Sequence, residues 1–204
     1  MSNWIDNKTV IITGASSGIG KGIAEIFIKK HNCKVIGIAR NKDKIESFIC
    51  ELGEYSKNFT YKLFDVSVKE NWFDFVEFLK GRDIHPDVLI NNAGISIDST
   101  LEDKTKEEFK RVLDVNLLGT YLVSKYVGMH MMEYRNGKIV NISSTNGIDT
   151  YYPESMDYDA SKAGVISRKH NFAKEFSPYI NVNAIASGWV NTSMNENLDD
   201  ENKN

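Results

Sequence analysis

The stretch that decides the fold is Lys8-Thr9-Val10-Ile11-Ile12-Thr13-Gly14-Ala15-Ser16-Ser17-Gly18-Ile19-Gly20. Its first half is an apolar, β-branched run, the pattern of a strand buried on both faces. Its second half sets three glycines in G-x-x-x-G-x-G spacing. Residues 18–30 then place Ile19, Ile23 or Ala24, Ile26 and Phe27 along one helical face. Strand, glycine turn and helix in immediate succession make a seat for a diphosphate. Gly14 permits the sharp turn, Gly18 lets phosphates approach the backbone, and Gly20 lets helix and sheet pack closely. The anion rests on the positive end of the helix. This is not a Walker loop, because Lys21 is followed by Gly22 and not by Ser or Thr. Gly14, Ser16, Ser17, Gly18, Ile19 and Gly20 are therefore expected to line a dinucleotide.

The same alternation continues outward. Strands are expected at 34–39, 59–64, 88–90, 138–142 and 180–186. Helices are expected at 43–55, 69–79, about 105–133 and 155–176, the third broken near 116–119. Apolar strands separated by helices imply an α/β fold, a three-layer doubly wound parallel sheet of Rossmann type. Residues 1–194 read as a single domain. The polar, acidic tail 195–204 reads as disordered, as a frayed helix or as the start of a truncated loop.

Composition narrows the function. The 204 residues are 41% apolar and 26% charged, with 25 Lys plus Arg against 28 Asp plus Glu and a net charge of -3. A dedicated nucleic-acid binder would be basic, although one local arginine can still hold a phosphate. The start lacks a signal segment and no apolar run approaches 18 residues. With only Cys33 and Cys50, this points to a reduced, cytoplasmic location without membrane contact. His31, His85, His130 and His170 are scattered and form no metal motif, so no metal is expected, and His31 and His85 read as solvated.

The end of the second strand reports on the ribose. An NAD site places Asp or Glu there. Here the residues are Ala39-Arg40. A guanidinium suits a 2′-phosphate, with Lys42 or Lys44 assisting, so NADP(H) is preferred and NAD(H) stays possible.

Further segments complete a pattern: Asp65-Val66, Asn91-Asn92-Ala93-Gly94, Asn116 within Val115–Gly119, Ser143-Ser144, Tyr158-Asp159-Ala160-Ser161-Lys162 and Val182–Gly188. In this order the chain resembles the short-chain dehydrogenase/reductase family in its one-domain form. Its flavour is that of the 3-oxoacyl-carrier-protein reductases and related carbonyl reductases. The resemblance implies a cofactor site that also uses Asp65, Val66, Asn92, Ala93, Gly94, Gly188, Val190 and Thr192. It implies catalysis by Asn116, Ser144, Tyr158 and Lys162, the last two also touching cofactor. The substrate would be a small carbonyl or alcohol.

Tyr-x-x-x-Lys occurs three times, at 121–125, 134–138 and 158–162. Only the third opens a helix after a strand-end serine, at the rim where doubly wound sheets bind ligands. A tyrosine with a pKa near 10 is a poor base unless a neighbouring cation favours its phenolate. Lys162, one turn along, supplies that cation. Ser144 would polarise the substrate oxygen, and Asn116 would hold a water linking Lys162 to solvent. Tyr151, Tyr152 and Met156 either line the substrate pocket or merely pack, and Trp189 covers the nicotinamide or adjacent core.

The chain departs from the family in two ways. Ser187-Gly188 replaces the usual Pro-Gly, with Gly188 keeping the turn. The usual seventh strand beyond Met194 is not in this sequence, either because the chain is short or because a segment lies beyond it. The expected strand order is therefore 3-2-1-4-5-6, with 181–186 at an edge. Helices 105–133 and 155–176 are the family's dimer-forming helices, and Met129, Met131, Met132, Val165 and Phe172 are expected at a homodimer interface, a homotetramer being less favoured. A catalytically inactive dinucleotide-binding protein of regulatory or structural role is the rival reading.

Overall fold

The computed structural model describes residues 3–192. Six strands form one parallel sheet: Thr9–Thr13 (β1), Lys34–Ala39 (β2), Phe59–Leu63 (β3), Val88–Asn91 (β4), Gly137–Ser144 (β5) and Ile180–Ser187 (β6). Their order is β3-β2-β1-β4-β5-β6, as expected from the sequence. The crossovers are Gly18–His31 (α1), Lys42–Leu52 (α2), Lys69–Lys80 (α3), the chain of Lys106–Leu113 (α4) and Thr120–Glu133 (α5), and Met156–Glu175 (α6). Between α4 and α5, Asp114–Gly119 widens into one π turn, the break expected near Asn116.

Successive strand residues bury opposite sides of the sheet. Ile11, Ile36, Leu89 and Ile139 join Trp72, Phe75, Val123 and Met131 in one core. Val10, Ile12, Val35 and Ile90 join Ala24, Ile28, Ile45 and Phe48 in the other. Two covered faces are why β1, β2 and β4 show no polar alternation, whereas polar residues interleave with apolar ones in the edge strands β3 and β6. Trp72 is fully buried and its indole N–H donates to the Val66 carbonyl at 2.8 Å, which leaves no orphan polar atom on the largest core side chain.

Several expectations need correction. The second helix stops at Leu52, because Gly53 takes φ +54° and the chain continues as a 3-10 turn through Asn58. Met131 and Val165 are buried in the protomer, and Met132 and Phe172 pack against its core, so helical pairing inside the chain claims residues assigned above to an interface. Met129 remains exposed. His31 is half-buried against Asp6, whereas His85 is exposed, as expected, with Asp83 and the Tyr134 ring beside it. Among the described residues β6 pairs with β5 alone. The tail 195–204 lies outside the described residues.

The strand order reverses between β1 and β4, one leading to β2 and the other to β5. A crevice opens at the carboxyl ends of the strands at such a point. The glycine loop after β1 and the segment 92–94 after β4 form its two lips.

Candidate active site

The lips are joined by side chains. Gly14 takes φ +69°, a conformation that disfavours any other residue, and its N–H donates to the Ile38 carbonyl at 2.8 Å. The Thr13 hydroxyl accepts from the backbone N–H groups of Asn92 at 2.9 Å and Ala93 at 3.0 Å. The Asn92 amide donates back to the carbonyls of Thr13 at 3.1 Å and Gly14 at 3.3 Å. A Cβ at Gly20 would lie 2.4 Å from both the Asn92 amide nitrogen and the Gly14 oxygen. Gly20 therefore admits the fastening between the two loops. Asn92, expected among the cofactor ligands, spends its side chain on this fastening, because the loop carbonyls would otherwise lack donors. At the start of α1, Ser17 makes no side-chain cap and the first turn carries no acid. Its N–H groups and positive dipole remain available to an anion.

One end of the crevice, about 530 Å³, is bordered by Ser16, Ser17, Arg40, Lys44, Val66, Ala93 and Gly94. Arg40 lies at its edge with its Nη1 3.6 Å from Asp65 Oδ2. Asp65 is held more firmly by others. Its Oδ1 accepts from the Ser67 N–H at 2.9 Å and hydroxyl at 2.6 Å, and its Oδ2 accepts from Arg111 Nη2 at 2.6 Å. Burial raises the carboxyl's pKa, but the Ser67 and Arg111 hydrogen bonds and the Arg111 charge outweigh it and hold the group at about 2. Both Asp65 oxygens are thus held by Ser67 and Arg111 beside the crevice, and Val66 forms its wall.

The other end, about 410 Å³, reaches Ile19, Ser96, Ser143, Tyr158, Lys162 and Thr192. Lys162 is 5% exposed, donates to the Ile142 carbonyl at 3.0 Å and lies 5.3 Å from the centre of the Tyr158 ring. Burial pushes its pKa down to about 8. Burial pushes the Tyr158 phenol up, the Ser144 hydroxyl draws it back, and the Asp159 and Asp98 carboxylates add to the rise. Ser143 points elsewhere, donating to the Lys162 carbonyl at 2.9 Å. Ser144 ends β5, donates to Asn146 Oδ1 and accepts from the Asn146 N–H, both at 3.2 Å. The Asn146 amide in turn donates to Asp159 at 2.8 Å, and Ser155 donates to the same oxygen at 3.1 Å. Asn146 and Asp159 are functional neighbours that the sequence reading missed.

Asn116 lies in the π turn, buried. Its amide donates to the Ile95 carbonyl at 2.9 Å and to Ser161 at 3.1 Å, and its Oδ1 accepts from the Ile95 N–H at 2.8 Å. One amide hydrogen and the Oδ1 hold Ile95, just after Gly94, and the other hydrogen ties the π turn to Ser161 of α6, so the side chain is committed to protein partners. A Cβ at Gly94 would lie 3.3 Å from Asn116 Oδ1 and 3.5 Å from Lys162 Nζ. A side chain at residue 94 would therefore crowd Asn116 and touch Lys162 at the floor of the crevice. The other two Tyr-x-x-x-Lys pairs lie off the crevice: Tyr121 packs on Phe172 and Tyr134 on His85.

A smaller pocket of about 90 Å³ opens beyond Tyr158 and Ser144, lined by Asn146, Tyr152, Gly188, Trp189 and Val190. Tyr152 meets Trp189 edge to face at 6.4 Å, whereas Tyr151 is 84% exposed and outside the pocket. A Cβ at Gly188 would meet nothing within 4 Å, so sterics among the described residues do not require glycine there. Thr192 packs over Gly18, where a Cβ would lie 3.3 Å from its methyl.

These residues fit a dinucleotide: a phosphate-ready helix end, a basic edge, a floor that a Cβ would fill, and a Ser–Tyr–Lys set at the far end of one crevice. Such a fold and site define a dinucleotide-dependent oxidoreductase. The chain belongs to the short-chain dehydrogenase family, whose description, short chain dehydrogenase, matches residues 8–203. It is 36% identical over 195 residues to the 3-oxoacyl-[acyl-carrier-protein] reductase FabG of Thermotoga maritima, covering 95% of this chain and 78% of that protein. It is 36% identical over 200 residues to the FabG of Haemophilus influenzae, covering 98% and 81%. Among solved structures it is similar to ElxO with NADP bound, at 33% identity and a TM-score of 0.85, over 92% of this chain and 75% of that one. Levodione reductase gives 30% identity and a TM-score of 0.85, over 93% and 74%. Among the described residues no helix is long and apolar enough to cross a membrane.

Proposed function

We propose that this chain is an NADP(H)-dependent carbonyl reductase that interconverts a ketone, aldehyde or 3-oxoacyl group with its alcohol. The carrying observation is the convergence of Ser144, Tyr158 and Lys162 at the end of the crevice that begins at the glycine loop. Bound nicotinamide supplies the hydride. Ser144 turns its hydroxyl from Asn146 to the substrate oxygen and polarises the carbonyl. Tyr158 gives its phenolic proton to that oxygen as charge builds there, and takes it back in the reverse direction. The Lys162 ammonium stabilises the phenolate left behind and holds the nicotinamide ribose. Asn116 keeps the floor behind Gly94 in place.

Gly14, Ser16, Ser17, Gly18, Ile19 and Gly20 seat the diphosphate with Thr192. Asp65 and Val66 would border the adenine, Ala93 and Gly94 would back the ribose, and Gly188 and Val190 would meet the carboxamide. Arg40, with Lys44, takes the 2′-phosphate. The NADP bound in ElxO and the reductase activity in the names of the bacterial relatives support this reading. A homodimer fits the outer face of α4, α5 and α6, where Leu117, Leu118 and Tyr121 border an apolar depression. The protein acts in the cytoplasm on this reading.

The test compares Tyr158→Phe with the unaltered chain, following NADPH absorbance over a panel of ketones, aldehydes and a 3-oxoacyl thioester. NADPH binding is expected to persist while turnover falls about 10²–10⁴-fold. Equal turnover in both proteins rejects the mechanism. An unaltered chain that binds NADPH and reduces no member of the panel supports the inactive, dinucleotide-binding alternative.

A further inference from the structure

An acid at the end of β2 selects an unphosphorylated ribose, because it accepts from the ribose hydroxyls and repels a 2′-phosphate. This chain has Arg40 there, but the acid is one strand away. Phe64 N–H donates to the Ala39 carbonyl at 2.9 Å, so the next residues of the two strands, Arg40 and Asp65, leave the sheet side by side. Asp65 Oδ2 is 3.6 Å from Arg40 Nη1. Left alone, a carboxylate at that distance would draw Arg40 into a paired fork and set a negative charge beside the phosphate seat. It is not left alone. Arg111, reaching from α4, donates to the same Oδ2 at 2.6 Å and lies 3.4 Å from the Ser67 hydroxyl.

We propose that Arg111 is a specificity-determining residue of the cofactor site: by neutralising Asp65 it frees Arg40 for the 2′-phosphate, without touching the cofactor itself. The proposal rests on the NADP(H) reading above and adds the residue that makes it work. The local charge count carries the argument. Arg40 and Arg111 against Asp65 leave one net positive charge beside Lys44. Without Arg111, Arg40 and Asp65 cancel, and the phosphate meets Lys44 alone. Adenine, diphosphate and nicotinamide are common to both cofactors, so the effect belongs to the ratio of the two affinities.

The experiment measures dissociation constants of NADPH and NADH, by titration calorimetry without substrate, for the unaltered chain and for R111Q, R111K, D65N and D65N/R111Q. R111Q is expected to lower the NADPH-over-NADH preference by roughly tenfold, with NADH affinity within about twofold. R111K, which keeps the charge, retains most of the preference. Adding D65N to R111Q restores the preference of D65N alone, since the charge that captured Arg40 is gone. Equal weakening of both cofactors in R111Q, an unchanged ratio, or no recovery in the double variant overturns the role of Arg111 and leaves the NADP(H) reading standing. An unaltered chain that binds NADH at least as tightly as NADPH overturns that reading and this proposal with it. D65N/R111Q measured against D65N keeps the test decisive should R111Q alone fold poorly, because a preference lost in the double variant overturns the action of Arg111 through Asp65.

Discussion

Lys162 is a cation in a place that suits a neutral group. It is 5% exposed, with the Ile142 carbonyl as hydrogen-bond acceptor, and burial lowers its pKa from the usual 10.5 to about 8. Below pH 8 both folded and unfolded chains carry the proton, and the folded state bears the full desolvation penalty. Between 8 and 10.5 the unfolded chain binds more protons, so this group makes stability rise with pH. Lys162→Met is therefore expected to stabilise the fold at pH 7 by about 1–3 kcal/mol while abolishing turnover. The stability difference between the two proteins should shrink from pH 8 to 10.5 in denaturant titrations. A variant less stable at pH 7 would show that the lysine's contacts outweigh its burial. Asp65 has the opposite sign. With a folded pKa of about 2 against an ordinary 3.8, it contributes stability that is complete above 3.8 and lost as pH falls through 2. Asp65→Asn should remove part of the acid limb between those values in urea midpoints measured against pH. A limb identical to that of the unaltered chain would mean that other carboxylates carry it.

At the scale of elements, the segment between β4 and α4 is bolted to the start of α6. Lys104 donates to the Ile97 carbonyl and to Asp157 Oδ2 at 3.1 Å, and their side chains are 5% and 0% exposed. The other oxygen of Asp157 accepts from the Tyr158 N–H at 2.9 Å, and Ser99 N–H donates to the Glu154 carbonyl at 3.1 Å. The helix that carries Tyr158 is thus positioned by a buried ion pair. Lys104→Met strands Asp157 and should cost about 3–5 kcal/mol, whereas Lys104→Met with Asp157→Leu should recover most of it. Chemical denaturation of the three proteins measures both, and equal losses in single and double variants would reject the coupling. The start of α4 is secured separately by a capping box, Thr105 with Glu108. Thr105→Ala should destabilise by about 1 kcal/mol without altering cofactor affinity, read from a thermal melt and an NADPH titration.

For the whole molecule, the sheet reserves its crevice side for chemistry and the α4–α6 side for the proposed pairing. Leu118 and Tyr121 are exposed by 41% and 37% on the latter. Arg168, packed on Phe172 and Tyr121 and donating to the Leu117 carbonyl at 2.8 Å, stiffens the same surface. Light scattering over a concentration series is expected to give a dimer, and Leu118→Glu a monomer of unchanged far-UV dichroism. A persistent monomer of the unaltered chain would reject the pairing.

The local signals were strong wherever one segment contains the whole reason for its structure. Buried strands need β-branched apolar runs, the turn after β1 needs glycine at φ +69°, and amphipathic helices need a repeating apolar stripe. From these alone the element order and a doubly wound sheet with its crevice were legible, whereas the strand order and the expectation of Ser144, Tyr158 and Lys162 at the site came from the resemblance of ordered motifs to the family. The partners of the site were not, because each is an ordinary polar residue that acquires meaning across the chain. Arg111 meets Asp65 from 46 residues away and Lys104 meets Asp157 from 53. Asn146 reaches Asp159 across the turn after β5, and Asn92 fastens the loop it was expected to line. Met131 and Val165 went to the core because packing density depends on three-dimensional neighbours, which helical spacing does not identify. Periodicity and backbone chemistry are local and so were written in the sequence. The pairing of charges, the pKa of Lys162 and the choice between core and surface depend on what desolvates or faces a group, and only the tertiary structure decided those.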